Sequence, residues 1–178
     1  MGLEFTIVCP DIDETPRPRE DPIAYVERLA REKALAVPAP DDVVVIAADT
    51  TVDVDGEILG KPEGPDDARR MLKRLSGRTH HCHSGVAVRL GDRLESAVAD
   101  TLVEFEPITD AAIDWYLATG EPFDKAGAYA LQGAGGVFIT KVTGSVSNVI
   151  GLPLPLLVHV AWRLRIDLLA PGAPGRPD

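Results

Sequence analysis

The stretch VVVIAADTTVDVDGEIL, Val43 to Leu59, decides the fold. Val43 to Ala48 is an unbroken apolar run, the pattern of a strand buried on both faces. Thr51 to Leu59 alternates about Asp55-Gly56, a strong two-residue hairpin signal. A turn fixes register, so Val54 pairs with Glu57, and continuing the ladder puts Lys61 opposite Thr50. A lysine is thereby brought beside Asp49 across a gap of twelve residues. Asp49 follows the apolar run directly. Position alone leaves it two readings: a turn-capping aspartate, or a carboxylate at the C-terminal end of a central strand, where open sheets place ligand chemistry.

Working outward, Asp21-Pro22 has the form of a helix start, with aspartate as cap and proline at the first position. The helix runs to about Val37, where Pro38-Ala-Pro40 stops it. Val26, Leu29 and Ala30 mark its inward face, and Lys33 shares that face. It is either a snorkelling lysine or one aimed into a cleft. One carboxylate and two lysines converging near a strand end suit a phosphorylated substrate. Lysines offset phosphate charge, and a carboxylate can accept a water proton or hold Mg²⁺. Glu14, in the acidic loop Asp11 to Glu20, is either solvated or a second oxygen ligand.

Elsewhere, Leu3 to Cys9 reads as a strand. Pro65 opens a helix that closes at Ser76-Gly77. Thr79 to Leu90 and Arg93 to Phe105 are long strands joined at Gly91-Asp92. Thr109 caps a short helix ending near Gly120, Ala128 to Val142 reads as Gly-interrupted β, and Leu154 to Ile166 as a final apolar helix. Hairpins and crossovers together imply an α/β or α+β fold with a mixed sheet. With no linker-like stretch, residues 1–169 form one domain and 170–178 (APGAPGRPD) a disordered tail.

The 178 residues are 45% hydrophobic, enough for one sizeable core, and no apolar run reaches a membrane span. A formal charge of -10 argues against binding a nucleic acid polymer or an anionic membrane surface, while leaving room for a small basic pocket. Cys9 and Cys82 make no disulfide framework and read as reduced cytoplasmic thiols. His80-His-Cys-His83 resembles a metal cluster, but strand alternation separates His80 and Cys82 from His81 and His83, and no spacing matches a zinc motif. Gly133-Ala-Gly-Gly136 is neither a Walker loop nor a dinucleotide fingerprint and reads as a tight turn. Ser145 and Ser147 lack a nucleophile-elbow pattern.

Six stretches carry a family resemblance: DIDET (Asp11 to Thr15), YVERLAREKA (Tyr25 to Ala34), AADTTVDVDGEILGKP (Ala47 to Pro62), ARRMLKRLSGRTH (Ala68 to His80), DKAGAYALQG (Asp124 to Gly133) and NVIGLPLP (Asn148 to Pro155). In this order the chain resembles the Maf family of nucleoside triphosphate pyrophosphatases. The resemblance implies an α/β, two-lobed single domain with a mixed β-sheet flanked by helices, like that of inosine-triphosphate pyrophosphatases. It implies a cytoplasmic enzyme, possible as a homodimer, that cleaves a nucleoside triphosphate to the monophosphate and pyrophosphate with a divalent cation, Mg²⁺ or Mn²⁺. It makes Asp49 the proton acceptor and Lys33 and Lys61 the phosphate-binding lysines, and it maps the glutamate of its D-I-D-E motif to Glu14, a substrate-binding residue that the residue reading also makes, with Asp49, a metal ligand. Thr50 and Gln132 fall at the positions that separate the dTTP/UTP branch from the 7-methyl-GTP branch and match the former.

The family's first strand, its S-x-S-P-R-R segment and the following helix have no counterpart ahead of Leu3. The expectation is a true start upstream, with Met1 an internal codon. The alternative is a short chain lacking two bidentate phosphate donors and weakened for it. Two functions from different classes follow: a pyrophosphatase acting on dTTP, UTP, CTP or modified pyrimidine nucleotides, with a 7-methyl-GTP type as the variant, or a non-catalytic nucleotide-binding regulator of cell division. Retention of Lys33, Asp49 and Lys61 favours the enzyme.

Overall fold

The computed structural model describes residues 2–170. Five strands form one sheet in the order β2-β1-β3-β4-β5. They are β1 (Val44–Val54), β2 (Glu57–Leu59), β3 (Thr79–Leu90), β4 (Arg93–Phe105) and β5 (Ile139–Thr143). The helices are α1 (Pro22–Ala36), α2 (Pro65–Leu75), α3 (Asp110–Ala118), α4 (Val146–Ile150) and α5 (Leu154–Arg163). The α/β class and flanking helices agree with the sequence reading.

The hairpin register is the expected one: Val54 pairs with Glu57, Asp53 with Ile58 and Val52 with Leu59. Asp55 and Gly56 both have positive φ, as a two-residue turn matched to strand twist requires. Asp21 caps α1 by accepting from the Ile23 and Ala24 amides, a contact worth about 1 kcal/mol.

Four features differ from expectation. The sheet is antiparallel at every pairing among the described residues, not mixed. Its close connections are hairpins, and the crossover through α2 returns the chain on the far side of β1, running against it. Leu3 to Cys9 joins no strand, and Phe5, Ile7 and Val8 are exposed; alternation by itself supplies no ladder partner. The glycine-interrupted stretch from Ala128 runs as loop and turn to Gly133 and as a 3-10 helix over Ala134–Phe138, and only Ile139–Thr143 pairs. Finally, Val43 to Ala48 is not buried on both faces, since Val43 and Ile46 are exposed, and β1 continues through Asp49. Asp49 is therefore mid-strand, where β2 has already ended and one side of β1 is open. The expected tail at 170–178 lies, from residue 171, outside the described residues.

Among the described residues, apolar packing forms four clusters along the two faces of the sheet. One core gathers Val52, Leu59, Met71, Leu72, Phe105, Tyr116 and Phe138 beneath α2 and α3. At the other end, α5 packs on Val86 and Val88, while Ala30 and Ala34 of α1 pack on Val45 and Ala87 of the opposite face.

His80 is fully buried in the first core, edge-on to Phe105, with Nε2 and the Tyr129 hydroxyl 2.9 Å apart. Burial drops its pKa from the ordinary 6.5 to about 4. The unfolded chain thus takes up a proton below pH 6.5 that the folded chain refuses until about 4. The stability present above 6.5 is lost as pH falls through this window, by about 2 kcal/mol at pH 5. Urea midpoints at pH 7, 6 and 5 check this: the slope expected of the wild type flattens in His80→Gln. Equal slopes would place the titrating group elsewhere.

Candidate active site

A cleft of about 460 Å³ opens where β2 stops short of Asp49. Because the strand is uncovered there, the cleft wraps its edge and takes side chains from both faces. Asp49 and Thr51 point to the α1 side, Thr50 and Val52 to the other. All six sequence-predicted residues, Glu14, Lys33, Asp49, Thr50, Lys61 and Gln132, line this one cleft.

At its centre Lys33 Nζ sits 2.6 Å from Asp49 Oδ1 and 2.8 Å from Glu14 Oε1. A helical side chain sweeps back toward the helix N-terminus, which lets Lys33 reach Asp49 from the inward face of α1. The Lys33 and Asp49 side chains are 19% and 10% exposed, so this is a largely desolvated ion pair rather than a surface one. Burial pushes the Asp49 carboxyl above its ordinary range; the Lys33 hydrogen bond and charge offset part of that, Glu14 adds to the rise and Lys61 opposes it. Burial works against the Lys33 charge as well, but the hydrogen bonds it donates to two carboxylates outweigh it and keep the ammonium above the ordinary lysine value. Tyr25, pushed up to about 12 chiefly by burial, donates to the Glu14 carbonyl and pins the acidic loop to α1.

On the other face, the Thr50 and Ser84 hydroxyls lie 2.7 Å apart, and Thr50 also reaches the Gly151 carbonyl. Asn148, fully buried, donates to the Cys82 carbonyl and Thr101 Oγ1, fastening α4 to β3 and β4. That anchor sets Val149, Ile150 and Gly151 as the apolar wall of the cleft. The opposite wall comes from the 124–132 segment. Gly127, at φ 70, lets this segment close on β1, where any Cβ would lie 2.9 Å from the Val52 side chain. Beyond Gln132, the Glu121 carboxylate accepts from the Ala134 and Gly135 amides and from the Tyr116 hydroxyl, which fixes the expected tight turn.

Residues 1–163 match the model of the family described as Maf-like protein. The chain belongs to the Maf-like protein family. A relative from Anaeromyxobacter dehalogenans (strain 2CP-C), named dTTP/UTP pyrophosphatase, is 55% identical over 159 residues, covering 86% of this chain and 80% of the relative. A Chromobacterium violaceum protein of the same name is 51% identical, covering 86% of this chain and 81% of the relative. One from Anaeromyxobacter sp. (strain Fw109-5), also so named, is 48% identical and covers 99% and 88%.

In this Maf-like chain Lys61 reaches the cleft as the hairpin predicts, but by another route. The ladder ends at Leu59, so Lys61 is not paired with Thr50; it enters the cleft from the chain leaving β2. Two further lining residues, Asp124 and Lys125, escape a reading of single residues. Lys125 Nζ lies 2.8 Å from Asp124, giving the cleft a third lysine. The stretch DKAGAYALQG contains them, but no periodicity or spacing there points to a cleft. No helix among the described residues is long and apolar enough to cross a membrane.

Proposed function

We infer that this chain hydrolyses nucleoside triphosphates, dTTP and UTP foremost, to the monophosphate and pyrophosphate, in the cytoplasm and with a divalent cation. The observation that carries the reading is the largely desolvated Lys33–Asp49 pair, with half-exposed Glu14 on the same lysine, at the centre of a cleft with two more lysines. The relatives named dTTP/UTP pyrophosphatase support the substrate. So do Thr50 and Gln132, at the positions where the resemblance separates the pyrimidine branch.

The donor set suits a hard cation. Two carboxylates flank Lys33, and each engages it through one oxygen, leaving Asp49 Oδ2 and Glu14 Oε2 available. Oxygen-only donors fit Mg²⁺ or Mn²⁺. Glu14 and Asp49 would hold such a cation, which would supply neutralisation of phosphate charge.

The chain's own residues do the rest. Lys33, Lys61 and Lys125 offset phosphate charge inside a site that excludes much of the bulk water. Asp49, its carboxyl made more basic by burial, takes a proton from the attacking water. The water oxygen bonds to the α-phosphorus, the bond from that phosphorus to the α–β bridging oxygen breaks, and pyrophosphate leaves with the electron pair. The apolar wall of Val149 and Ile150 is where a base lies.

Pyrophosphate release from dTTP, UTP, CTP and 7-methyl-GTP with Mg²⁺ tests this. Release is expected from dTTP and UTP, with 7-methyl-GTP the poorest of the four. A folded sample that binds dTTP and releases no pyrophosphate would be a nucleotide-binding regulator instead.

A further inference from the structure

The sheet face that carries α1 holds a second cluster, made by three strands and absent from the cleft lining. Asp53 of β1 is opposite His81 of β3, and His83 of β3 is opposite Asp100 of β4. Alternation sends all four to the face of Val45 and Ala87, on which α1 packs. The expected split of His80-His-Cys-His83 therefore holds: His80 enters the core of the other face, and His81 and His83 remain together. What the sequence did not reveal is the carboxylate supplied by the next strand.

His81 Nδ1 lies 3.0 Å from both Asp100 oxygens, and His83 Nδ1 lies 3.3 Å from Oδ1. One ligand atom from each of the three lies within 4.8 Å of the others. The two imidazoles stack nearly parallel, 11° apart, with centroids 5.3 Å from each other. Ligands about 2.1 Å from a tetrahedral zinc are separated by about 3.4 Å, so the two carboxylate–imidazole separations already approximate edges of that tetrahedron. Closing the third edge needs only a rotation of His81, which is half-exposed.

The His83 side chain is 5% exposed, yet its Nδ1 makes no hydrogen bond, because the approach to Asp100 has the wrong angle. Asp53 Oδ1 is likewise buried without a partner, and its other oxygen is 3.7 Å from His83 Nε2. Buried polar atoms left unsatisfied are costly and rare in native structures. A metal on His83 Nδ1 would satisfy it, with Asp53 facing the other ring nitrogen, the usual orienting partner of a metal-bound histidine.

We propose that His81, His83 and Asp100 form a binding site for a borderline divalent transition-metal ion, zinc foremost, separate from the nucleotide cleft. Two nitrogens and one carboxylate oxygen select zinc-class ions over magnesium. Half-exposed His81 and Asp100 leave the fourth position open to solvent or a further ligand. His83 and Asp100 lie in the row of Thr51 and His81 in that of Asp53, so the ligands are offset from Asp49 by about 7 to 13 Å along the strands, on the neighbouring strands β3 and β4.

Calorimetric titration of the chelator-treated full chain with ZnCl₂, without nucleotide, tests the site, and the visible spectrum of the Co²⁺ form reports its geometry. One equivalent is expected to bind in the wild type and in Asp49→Asn, unaffected by millimolar Mg²⁺, with a tetrahedral cobalt spectrum. His81→Gln and Asp100→Asn, both half-exposed and able to fold, are expected to weaken binding about 100-fold. No stoichiometric binding by the wild type overturns the proposal. So does binding that survives both substitutions, or that disappears in Asp49→Asn, which would put the ion in the cleft.

Discussion

Asp49→Asn is expected to lower the turnover of pyrophosphate release about a thousandfold while leaving the protein folded. The amide keeps the shape and the contact with Lys33 but cannot take a proton from water. Lys33 retains Glu14 at 2.8 Å, so no ammonium is stranded. Stability should change little, because the amide avoids the cost of a buried carboxylate while Lys33 loses one of the two carboxylates that hold its charge. Burial raises the Asp49 carboxyl above 3.8, so folding favours its protonated form, and that advantage is gone once pH rises through the raised value. At neutral pH the charged carboxylate is the costlier occupant, and a neutral amide avoids that cost. Turnover and melting temperature, measured side by side, decide the matter. Unchanged turnover would mean that the proton acceptor is elsewhere, and lost folding would make Asp49 structural.

Gly85→Ala should cost about 3 kcal/mol or more, a large loss for the addition of one methyl group. Gly85 is opposite Asp49 on β3, directly beneath α1. A Cβ there would lie 2.6 Å from the carbonyl carbon of Val26 and overlap its oxygen. The obstacle is helix backbone, which no rotamer change relieves, so α1 must lift or tilt. Lifting α1 also withdraws Lys33 from Asp49, so activity should fall along with stability. Urea denaturation and pyrophosphate release measure both. A variant within about 0.5 kcal/mol of the wild type, the usual range for substitutions away from such contacts, would mean that α1 is not seated by this glycine.

Much of the candidate site was legible in the chain because its clues were local. Asp55-Gly56 sets the β1–β2 register through turn geometry alone. Asp21-Pro22 sets the start of α1, and the helical repeat then puts Lys33 among Val26, Leu29 and Ala30 on the inward face. A lysine on an apolar face and an aspartate after an apolar run mark groups that folding must bring into register with something. Gln132 entered only through the family resemblance, since an exposed glutamine beside a tight turn has no periodicity to betray it.

Other features depended on which distant segments meet. Asp49 is mid-strand and accessible because β2 is only three residues long, not because a strand ends there. Leu3 to Cys9 has the alternation of a strand, but alternation cannot supply a ladder partner. Asp124 and Lys125 reach the cleft because Gly127 lets their segment press on Val52. Asp100 joins His81 and His83 through a register set between β3 and β4. Turns, caps and helix faces are governed by neighbours a few residues apart, so the sequence by itself determined them. Strand order, the open edge at Asp49 and the convergence of acids, lysines and histidines follow from long-range packing, which only the tertiary structure decided.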